Sequence, residues 1–384
     1  MRVGFIGLGK LGLPVAKVIA AHYDLIGYDI RAIDSDDISI TYSIEQAVTG
    51  HDIVFIAVPT PHDPAYDGSK PTHNLANKDF DYSDVIAVLK AINPYVTKKQ
   101  LVVLISTVLP GTVRSTLADY VPNAELVYNP YLIAMGTVAD DFAAPEMIMI
   151  GNETGVKDAY VLQLEQFYKP LLANKPRIVT GTWEEMECTK IFYNTFISAK
   201  LSLVNMIQDV SERIGHVDTD IVTDALAKST KRIMGPAYMK AGMGDGGPCH
   251  PRDNIALRWL ADDIGLGYDL FDAIMTAREQ QAKNIADKLC EQRLPIVILG
   301  QSFKPGVPYT DGSYSMLVGY FCEQQRKAVA YDTVLDKPAV YLLAHDVDHT
   351  ELLEQLTDGS VVIDPWRNRY TRSGLTVINY GLTR

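Results

Sequence analysis

A glycine pattern near the start of the chain constrains its fold more than any other feature. Gly7, Gly9 and Gly12 are spaced G-x-G-x-x-G, directly after the apolar run Val3–Ile6 and just before a helical stretch from Pro14 to Ala21. The first two glycines allow a tight turn and a close approach of the backbone to a ligand, and the third lets the helix pack on the strand. This order of strand, glycine turn and helix predicts a βαβ unit around a parallel sheet.

An acidic residue completes the pattern. Asp29 ends the second predicted strand, Leu25–Tyr28. A carboxylate at this place accepts hydrogen bonds from ribose hydroxyls of NAD and repels the 2′-phosphate of NADP, while free N–H groups at the helix start bind the pyrophosphate. We therefore predict NAD as the cofactor, with Arg31 slightly weakening that preference. The predicted contacts are Gly7, Leu8, Gly9, Lys10, Leu11, Gly12 and Asp29.

Short β-rich runs alternate with helical stretches in the first half and again in the last third of the chain. The 384 residues are enough for two or three domains. Helical patterns cover Trp183 to Ile214 and Asn254 to about Gln292, with a break near Gly265–Gly267. We predict an α/β fold with a Rossmann-type domain at 1–182, a central long-helix region at 183–292 and a smaller Rossmann-like domain at 293–384. The predicted strands are Val3–Ile6, Leu25–Tyr28, Ile53–Val58, Leu101–Ile105, Met147–Ile150, Pro295–Leu299, Ala328–Tyr331, Ala339–Leu343, Val361–Ile363 and Thr376–Ile378.

Composition excludes several other classes of protein. The hydrophobic content of 47% indicates a folded globular protein, and the net charge of −12 argues against general nucleic-acid binding. No apolar run is long enough for a signal peptide or a membrane span, so no membrane partner is expected. The four cysteines lack the spacing of metal ligands, so we predict no metal site and expect reduced thiols in the cytoplasm.

Cys249 lies in a stretch dense in glycine and proline, from Gly242 to Asp253, which we predict to be a loop. Such a loop lets the backbone approach a substrate, and a cysteine on it is a nucleophile if its thiolate is favoured. The other interpretation is a small, buried apolar cysteine. The residues around Cys249 leave both interpretations open.

Lys190 and Asn194 lie four residues apart on the first long predicted helix, so their side chains share a face. A lysine and an amide on one face are able to stabilise an oxyanion. An ordinary solvated helix face gives the same pattern. Both interpretations stay open at this point.

Taken together, these segments resemble the UDP-glucose/GDP-mannose dehydrogenase family over nearly the whole chain and in the expected order. The resemblance implies an N-terminal NAD domain, a central dimerisation region and a C-terminal nucleotide-sugar-binding domain. The matching segments are Gly7–Gly12, Val58–Pro61, Ser106–Thr112, Asn129-Pro130, Glu187-x-x-Lys190-x-x-x-Asn194, Arg232-Ile233, Gly246–Asp253 and Gly300-x-x-Phe303-Lys304-Pro305.

The resemblance also implies a reaction, in which a homodimer uses two NAD to oxidise the C6 alcohol of a nucleotide-sugar, UDP-linked, to a carboxylate for polysaccharide biosynthesis. Cys249 is then the nucleophile that carries a thiohemiacetal and a thioester. Lys190 and Asn194 stabilise oxyanions or orient water, and Asp253 supports proton transfer. Further implied contacts are Val58, Thr60 and Thr107 with the cofactor, Thr107 with the attacking water, and Arg232, Gly246, Phe303 and Lys304 with the substrate, Arg232 from across the dimer interface.

The chain departs from the family pattern at three places. Tyr131 and Met135 replace two carboxylates, so the proton acceptor and the hydrolysis step stay open. His250 is a replacement base or only a loop histidine, and Gly306–Ser315 has no counterpart of an arginine-bearing family segment. Two alternatives therefore stand beside full oxidation: a single two-electron oxidation, and a catalytically silent nucleotide-sugar binding protein.

Overall fold

The chain folds into two compact units, Met1–Ala199 and Lys200–Arg384. The computed structural model describes residues 1–61, 63, 76, 78–133, 136–235, 240–243, 249–302, 304–307, 310 and 312–382, except for the side chains of 201, 205, 249, 250, 252, 253 and 256. The predicted loop His62–Phe80 and the substituted position Met135 thus lie largely or wholly outside the described residues.

The first unit is built on an eight-stranded sheet with the order β3-β2-β1-β4-β5-β6-β7-β8. Neighbouring strands are parallel except for the antiparallel pair β6 and β7. The chain order reverses beside β1, which is where ligands bind in open α/β sheets. The strands are β1 (Arg2–Ile6), β2 (Asp24–Tyr28), β3 (Ser39–Thr41), β4 (Ile53–Ile56), β5 (Leu101–Leu104), β6 (Glu125–Tyr128), β7 (Met147–Asn152) and β8 (Arg177–Thr182).

Helices cover both faces of this sheet. Val3 and Phe5 pack in the cluster that includes Val15 and Ile19, whereas Ile6 packs in a second cluster with residues of α3. Burial on both faces explains why the strands are continuous apolar runs rather than alternating ones. The helices are α1 (Gly12–Ala20), α2 (Ile44–Val48), α3 (Ser83–Ile92), α4 (Val138–Ala143), α5 (Ala159–Tyr168) and α6 (Trp183–Ile214), with short π and 3₁₀ turns at Val113–Leu117 and Ala118–Tyr120.

The second unit contains a five-stranded parallel sheet with the order β10-β9-β11-β12-β13. Its strands are β9 (Ile296–Leu299), β10 (Val329–Tyr331), β11 (Val340–Leu343), β12 (Val361–Asp364) and β13 (Thr376–Asn379). Its helices are α7 (Thr219–Ala227), α8 (Cys249–Asp263), α9 (Leu270–Glu291), α10 (Tyr314–Gln324) and α11 (Thr350–Leu353). Among the described residues, no helix is long and apolar enough to cross a membrane.

The predicted α/β class is confirmed, and each predicted strand has a counterpart. One prediction was wrong: residues 249–253 are not loop but the first turn of α8. Pro251 is compatible with that turn, because the first N–H groups of a helix need no partner inside it. The division at 182 and 292 stays a prediction.

Candidate active site

A cavity of about 780 Å³ opens at the carboxyl ends of β1, β2, β4 and β5. It lies at the reversal of strand order, where a dinucleotide is expected. Its lining includes Gly7, Gly9, Lys10, Leu11, Gly12, Asp29, Val58, Thr60, Thr107 and Lys190. Ten of the residues predicted from the sequence are therefore brought to one cavity of the first unit.

The glycine turn leaves room for a ligand on one side only. Gly7 has a φ of 96°, and a Cβ on Gly12 would lie 1.8 Å from the carbonyl oxygen of Gly7. A Cβ on Gly9, in contrast, would meet only the guanidinium of Arg31, at 3.7 Å. No side chain caps the start of α1 at Leu11. The turn thus presents open space and a helix start to the cavity, which fits the pyrophosphate of a dinucleotide.

Asp29 is held in place by three hydrogen bonds. Its carboxylate accepts from the Leu8 amide at 2.8 Å, from the Arg31 amide at 2.9 Å and from Arg31 Nε at 3.2 Å. Burial of the carboxyl raises its pKa, but the bonds from Arg31 and Leu8 outweigh burial and lower the pKa below its usual value. Asp29 is therefore a fixed negative charge beside the turn, and Arg31 is paired to it.

Two hydroxyl groups tie the ends of β4 and β5 together beside the cavity. Thr60 Oγ1 donates to the carbonyl of Thr107 at 2.7 Å, and Ser106 Oγ donates to the carbonyl of Val58 at 2.6 Å. The segments that follow β4 and β5 therefore hold each other in place. This fixes the backbone at the part of the cavity where we expect the nicotinamide end of a dinucleotide.

Lys190 reaches the same cavity from α6. Its Nζ donates to the backbone carbonyl of Tyr131 at 2.7 Å, and burial lowers the pKa of the ammonium group. Glu187, one turn earlier, is fully buried and accepts hydrogen bonds from the amides of Gly111 and Val113. Glu187 therefore anchors α6 so that Lys190 points into the cavity.

Tyr131 occupies the place where the resemblance led us to expect a carboxylate. Its hydroxyl lies 3.2 Å from that of Tyr168, and Tyr168 donates its one hydroxyl proton to Asn129 Oδ1. Burial raises the pKa of Tyr131 well above its usual value. The phenol is therefore neutral at physiological pH and cannot replace a carboxylate as a proton acceptor.

The remaining predicted residues lie elsewhere. Leu8 does not line the large cavity: its side chain is buried and its amide is bound to Asp29. Asn194 and Arg232 are exposed, Arg232 in a turn of the second unit, and Lys304 is exposed there as well. Cys249 and Asp253 belong to α8, but their side chains, like Gly246 and Phe303 altogether, lie outside the described residues.

Sequence reasoning missed part of the wall. Asp84 and Val88 of α3 line the cavity. In the sequence, only the start of the helical pattern at Ser83 indicates this part of the cavity. The polar stretch before Ser83 makes that start hard to recognise.

The fold and the cavity together define a dinucleotide-binding domain of the Rossmann type. Comparison with known families agrees, since the NAD binding domain of the UDP-glucose/GDP-mannose dehydrogenase family matches residues 30–172 and its central domain matches residues 184–280. The chain belongs to the UDP-glucose/GDP-mannose dehydrogenase family. The predictions of NAD as cofactor and of an NAD-dependent nucleotide-sugar dehydrogenase are thereby confirmed.

Individual relatives agree with the family. The chain is 27% identical over 346 residues to UDP-glucose 6-dehydrogenase TuaD of Bacillus subtilis, covering 86% of this chain and 70% of that protein. It is 26% identical over 378 residues to UDP-glucose 6-dehydrogenase AglM of Haloferax volcanii, covering 87% of this chain and 84% of that protein. The crystal structure of GDP-mannose dehydrogenase from Pseudomonas aeruginosa shares the fold with a TM-score of 0.81 at 21% identity, over 98% of this chain and 99% of that one.

Proposed function

We propose that this protein oxidises the C6 alcohol of a UDP-linked sugar to a carboxylate, with two NAD and a covalent intermediate on Cys249. The observation that carries the proposal is the position of Lys190, which projects from α6 into the cavity formed by the glycine turn. A cation is thereby available beside the cofactor site, where the oxidised carbon has to lie. The names of the relatives support the UDP-linked sugar and the C6 position.

Lys190 and its neighbours serve the first oxidation. The glycine turn and Asp29 would hold NAD, which would supply the acceptor for the hydride of the alcohol carbon, while the hydroxyl proton of the alcohol passes to water. The ammonium of Lys190 stabilises the developing oxyanion, and a low local dielectric strengthens that interaction. Thr107 lines the same cavity, and its hydroxyl would orient the attacking water.

Cys249 serves the second oxidation. Its thiolate adds to the aldehyde carbon, and the resulting thiohemiacetal gives its hydride to a second NAD and becomes a thioester. Water then attacks the thioester carbon and releases the carboxylate and the thiol. Cys249 is the first residue of α8, and a helix start favours a thiolate. Asn194 assists Lys190, and Asp253 supports the proton transfers.

The substrate contacts are proposed from the family motifs. Arg232, Gly246, Phe303 and Lys304 would hold the nucleotide-sugar, with Arg232 acting on the site of a second copy of the chain. Exposed apolar side chains on α6 support a homodimer: Phe192 is 62% exposed and Phe196 is 58% exposed. These aromatic rings are four residues apart and share one helix face.

The dimer has a direct test. Phe192→Asp with Phe196→Asp should shift the sedimentation coefficient from dimer to monomer. Tyr320→Asp is the matched control: Tyr320 lies on α10 and is 52% exposed, and its replacement should leave the sedimentation coefficient unchanged. A double variant that still sediments like the wild type would contradict the proposed interface.

The reaction is tested by incubating the enzyme with NAD and a panel of nucleotide-sugars, with NADH counted by absorbance and the product identified by mass. Two NADH per sugar acid are expected with the wild type, and Cys249→Ala should form no acid. Cys290→Ala is the control, because Cys290 lies outside every family motif. Acid formation by Cys249→Ala at the wild-type rate would exclude the covalent route.

A second candidate is a single oxidation that stops after one hydride transfer. One observation favours it: the neutral Tyr131 phenol stands where the family pattern has a carboxylate. The same panel separates the two, because a single oxidation gives one NADH per sugar and no acid. A protein that binds the nucleotide-sugar without any NADH formation would be the silent alternative.

A further inference from the structure

The ammonium of Lys190 depends on its acceptor for its position in the NAD cavity. Glu187 anchors helix α6, but the charge of Lys190 lies at the end of a flexible four-carbon stem. Its Nζ donates to the backbone carbonyl of Tyr131 at 2.7 Å. Whatever fixes Tyr131 therefore also determines where the ammonium lies.

Asn129 provides a fixed point inside the first sheet. It directly follows β6 and is fully buried. Its amide donates to the carbonyl of Leu104, the last residue of β5, at 2.8 Å. Its side-chain Nδ2 donates to the carbonyl of Met149 in β7 at 2.6 Å. The amide group of the side chain is thus held between two strands, with Oδ1 left as an acceptor.

Tyr168 connects this fixed point with Tyr131. It is the last residue of α5 and is 2% exposed. Its hydroxyl donates to Asn129 Oδ1 and lies 3.2 Å from the hydroxyl of Tyr131. A phenol has a single proton, so Tyr131 is the donor of the second bond. The two bonds form a chain from the sheet to the side chain of Tyr131.

Aromatic packing holds both phenol rings. The ring of Phe142 in α4 lies 5.2 Å from that of Tyr131 and 6.0 Å from that of Tyr168, between centroids. Phe167, the residue before Tyr168, packs against Phe55 of β4 at 5.1 Å. Aromatic rings at these distances attract each other, and close-packed rings have few alternative positions. The meeting of the two hydroxyls is therefore a defined feature of the fold.

The backbone limits Tyr131 as well. Pro130 alone separates it from Asn129, and this proline is buried with its φ fixed by the ring. Tyr131 is thus held at its amide end by Pro130 and at its hydroxyl by Tyr168. Its carbonyl, between these two constraints, has a defined direction towards Lys190.

This arrangement lies outside the family motif. The resemblance implies a carboxylate at position 131, and a carboxylate attracts an ammonium by its charge. The buried phenol of Tyr131 carries no such charge, and the bond from Lys190 goes to the backbone instead. The direction of a neutral carbonyl depends on how the residue is held, so the partners of the phenol become important for the ammonium.

We propose that Tyr168 is a positioning residue for the oxidation: it holds the phenol of Tyr131, and thereby the carbonyl that directs Lys190 towards the oxidised carbon. Tyr168 is not among the described residues that line the NAD cavity, so it acts through Tyr131. The inference rests on the proposed role of Lys190 in stabilising the oxyanion. It does not depend on Cys249 or on a second oxidation.

The first test removes one hydroxyl at a time from the same end of α5. Tyr23→Phe is the matched control for Tyr168→Phe, because Tyr23 donates to the carbonyl of Phe167 at 2.8 Å. The substrate is the nucleotide-sugar that gives NADH in the panel. Tyr168→Phe should lower kcat roughly ten-fold or more, since a small displacement of a catalytic group is sufficient. The Kd for NADH should stay as in the wild type, and Tyr23→Phe should change neither quantity. A wild-type kcat in Tyr168→Phe would overturn the assignment.

The second test asks whether the effect passes through Lys190. In the Lys190→Met background, Tyr168→Phe should lower kcat further by no more than about two-fold, because residues of one network act non-additively. A general structural role of Tyr168 would lower kcat by the same factor in both backgrounds, which would contradict the proposal. If Lys190→Met itself keeps the wild-type kcat, the proposed role of Lys190 fails and the inference fails with it.

The third test requires no turnover, so it is independent of any failure of the proposed oxidation. Calorimetry measures the change in melting temperature that Lys190→Met causes in the wild type, in Tyr23→Phe and in Tyr168→Phe. The change should be the same in the first two. In Tyr168→Phe it should be smaller, because an ammonium released from its carbonyl reaches water and its charge then destabilises the fold less. The same change in all three backgrounds would show that Tyr168 does not hold Lys190.

Discussion

Lys190 donates from Nζ to the backbone carbonyl of Tyr131 at 2.7 Å, although 59 residues separate the two in the chain. This bond joins α6 to the segment that follows β6, and it directs an ammonium group into the NAD cavity. A carbonyl dipole compensates an ammonium less than a carboxylate does, and burial accordingly lowers the pKa of Lys190. The lowered pKa means that the charged form of Lys190 destabilises the folded protein. Retention of such a group is consistent with a role in binding or catalysis.

Replacing Lys190 should separate activity from stability. Lys190→Met should lower kcat by roughly 10²–10³, the usual effect of losing one oxyanion donor. The same change should raise the melting temperature by a few degrees, because a partly buried charge is replaced by an apolar chain of similar length. Steady-state kinetics and calorimetry measure the two effects. Lys200→Met, on the exposed part of α6, is the control and should change neither.

The stability difference between these proteins should depend on pH with a defined sign. The folded-state pKa of Lys190 lies below its unfolded value. Between the two values the unfolded chain binds more protons, so the wild type gains stability as the pH rises. The advantage of Lys190→Met in free energy of unfolding should therefore shrink as urea titrations move from about pH 8 to about pH 10.5, where the free lysine titrates. If the difference in free energy of unfolding does not change with pH, the charge of Lys190 does not destabilise the folded protein.

Asp29 should determine the choice of cofactor. Its carboxylate repels a 2′-phosphate and at the same time pairs with Arg31. The wild type should thus use NAD well ahead of NADP. Asp29→Ser removes the repulsion and releases Arg31, so kcat/KM for NADP should rise at least about ten-fold relative to NAD. Adding Arg31→Ala to Asp29→Ser should cancel the gain, and comparable wild-type kcat/KM for the two cofactors would contradict this role of Asp29.

Two glycines of the same turn should respond differently to alanine. Gly12→Ala places a Cβ 1.8 Å from a backbone oxygen, so the free energy of unfolding should fall by about 3 kcal/mol or more. Gly9→Ala meets only Arg31 at 3.7 Å, so the fold should persist while the methyl group occupies ligand space. Its Kd for NAD should rise by roughly ten-fold. Thermal unfolding measures the first effect, and fluorescence titration with NADH, which binds at the same turn, measures the second. Equal melting temperatures of the two variants would show that a Cβ at position 12 is no more disruptive than one at position 9.

The parts of the fold that sequence predicts are those determined by local burial. Val3–Ile6 and Ile53–Val58 are buried on both faces, so their strands are visible as apolar runs. Strands β3, β6 and β8 were not predicted: β6 has only three apolar residues after Glu125, whereas β3 and β8 lie at the sheet edges, with Ile178 of β8 41% exposed. Edge strands need little apolar sequence, so a pattern of burial does not reveal them.

Some features of the candidate site can likewise be predicted from the sequence, and others cannot. The glycine turn and Asp29 are close in sequence, so their spacing alone predicts their geometry. The contact of Lys190 with Tyr131 and the anchoring of Glu187 on Gly111 join distant segments, and only the folded chain shows them. The helical start at Cys249 was concealed by Pro248 and Pro251, since proline is compatible with a first helical turn but is typical of loops as well.

Slow hydrolysis of the thioester should show as a burst. The resemblance implies a carboxylate near this position that assists the proton transfer of hydrolysis, whereas Tyr131 carries a phenol whose pKa burial raises well above its usual value. If Cys249 carries the acyl group, each active site should release two NADH rapidly and further NADH at the slower rate of hydrolysis. Stopped-flow absorbance measures the amplitude, and intact-protein mass spectrometry of quenched enzyme should show a covalent adduct on Cys249. Cys249→Ala should lose both burst and adduct, while Cys249→Ser should retain a more persistent ester because an alkoxide leaves less readily than a thiolate. Linear NADH formation from the first turnover, with unmodified protein at every quench time, would show that hydrolysis is not the slow step and that Tyr131 leaves it unimpaired.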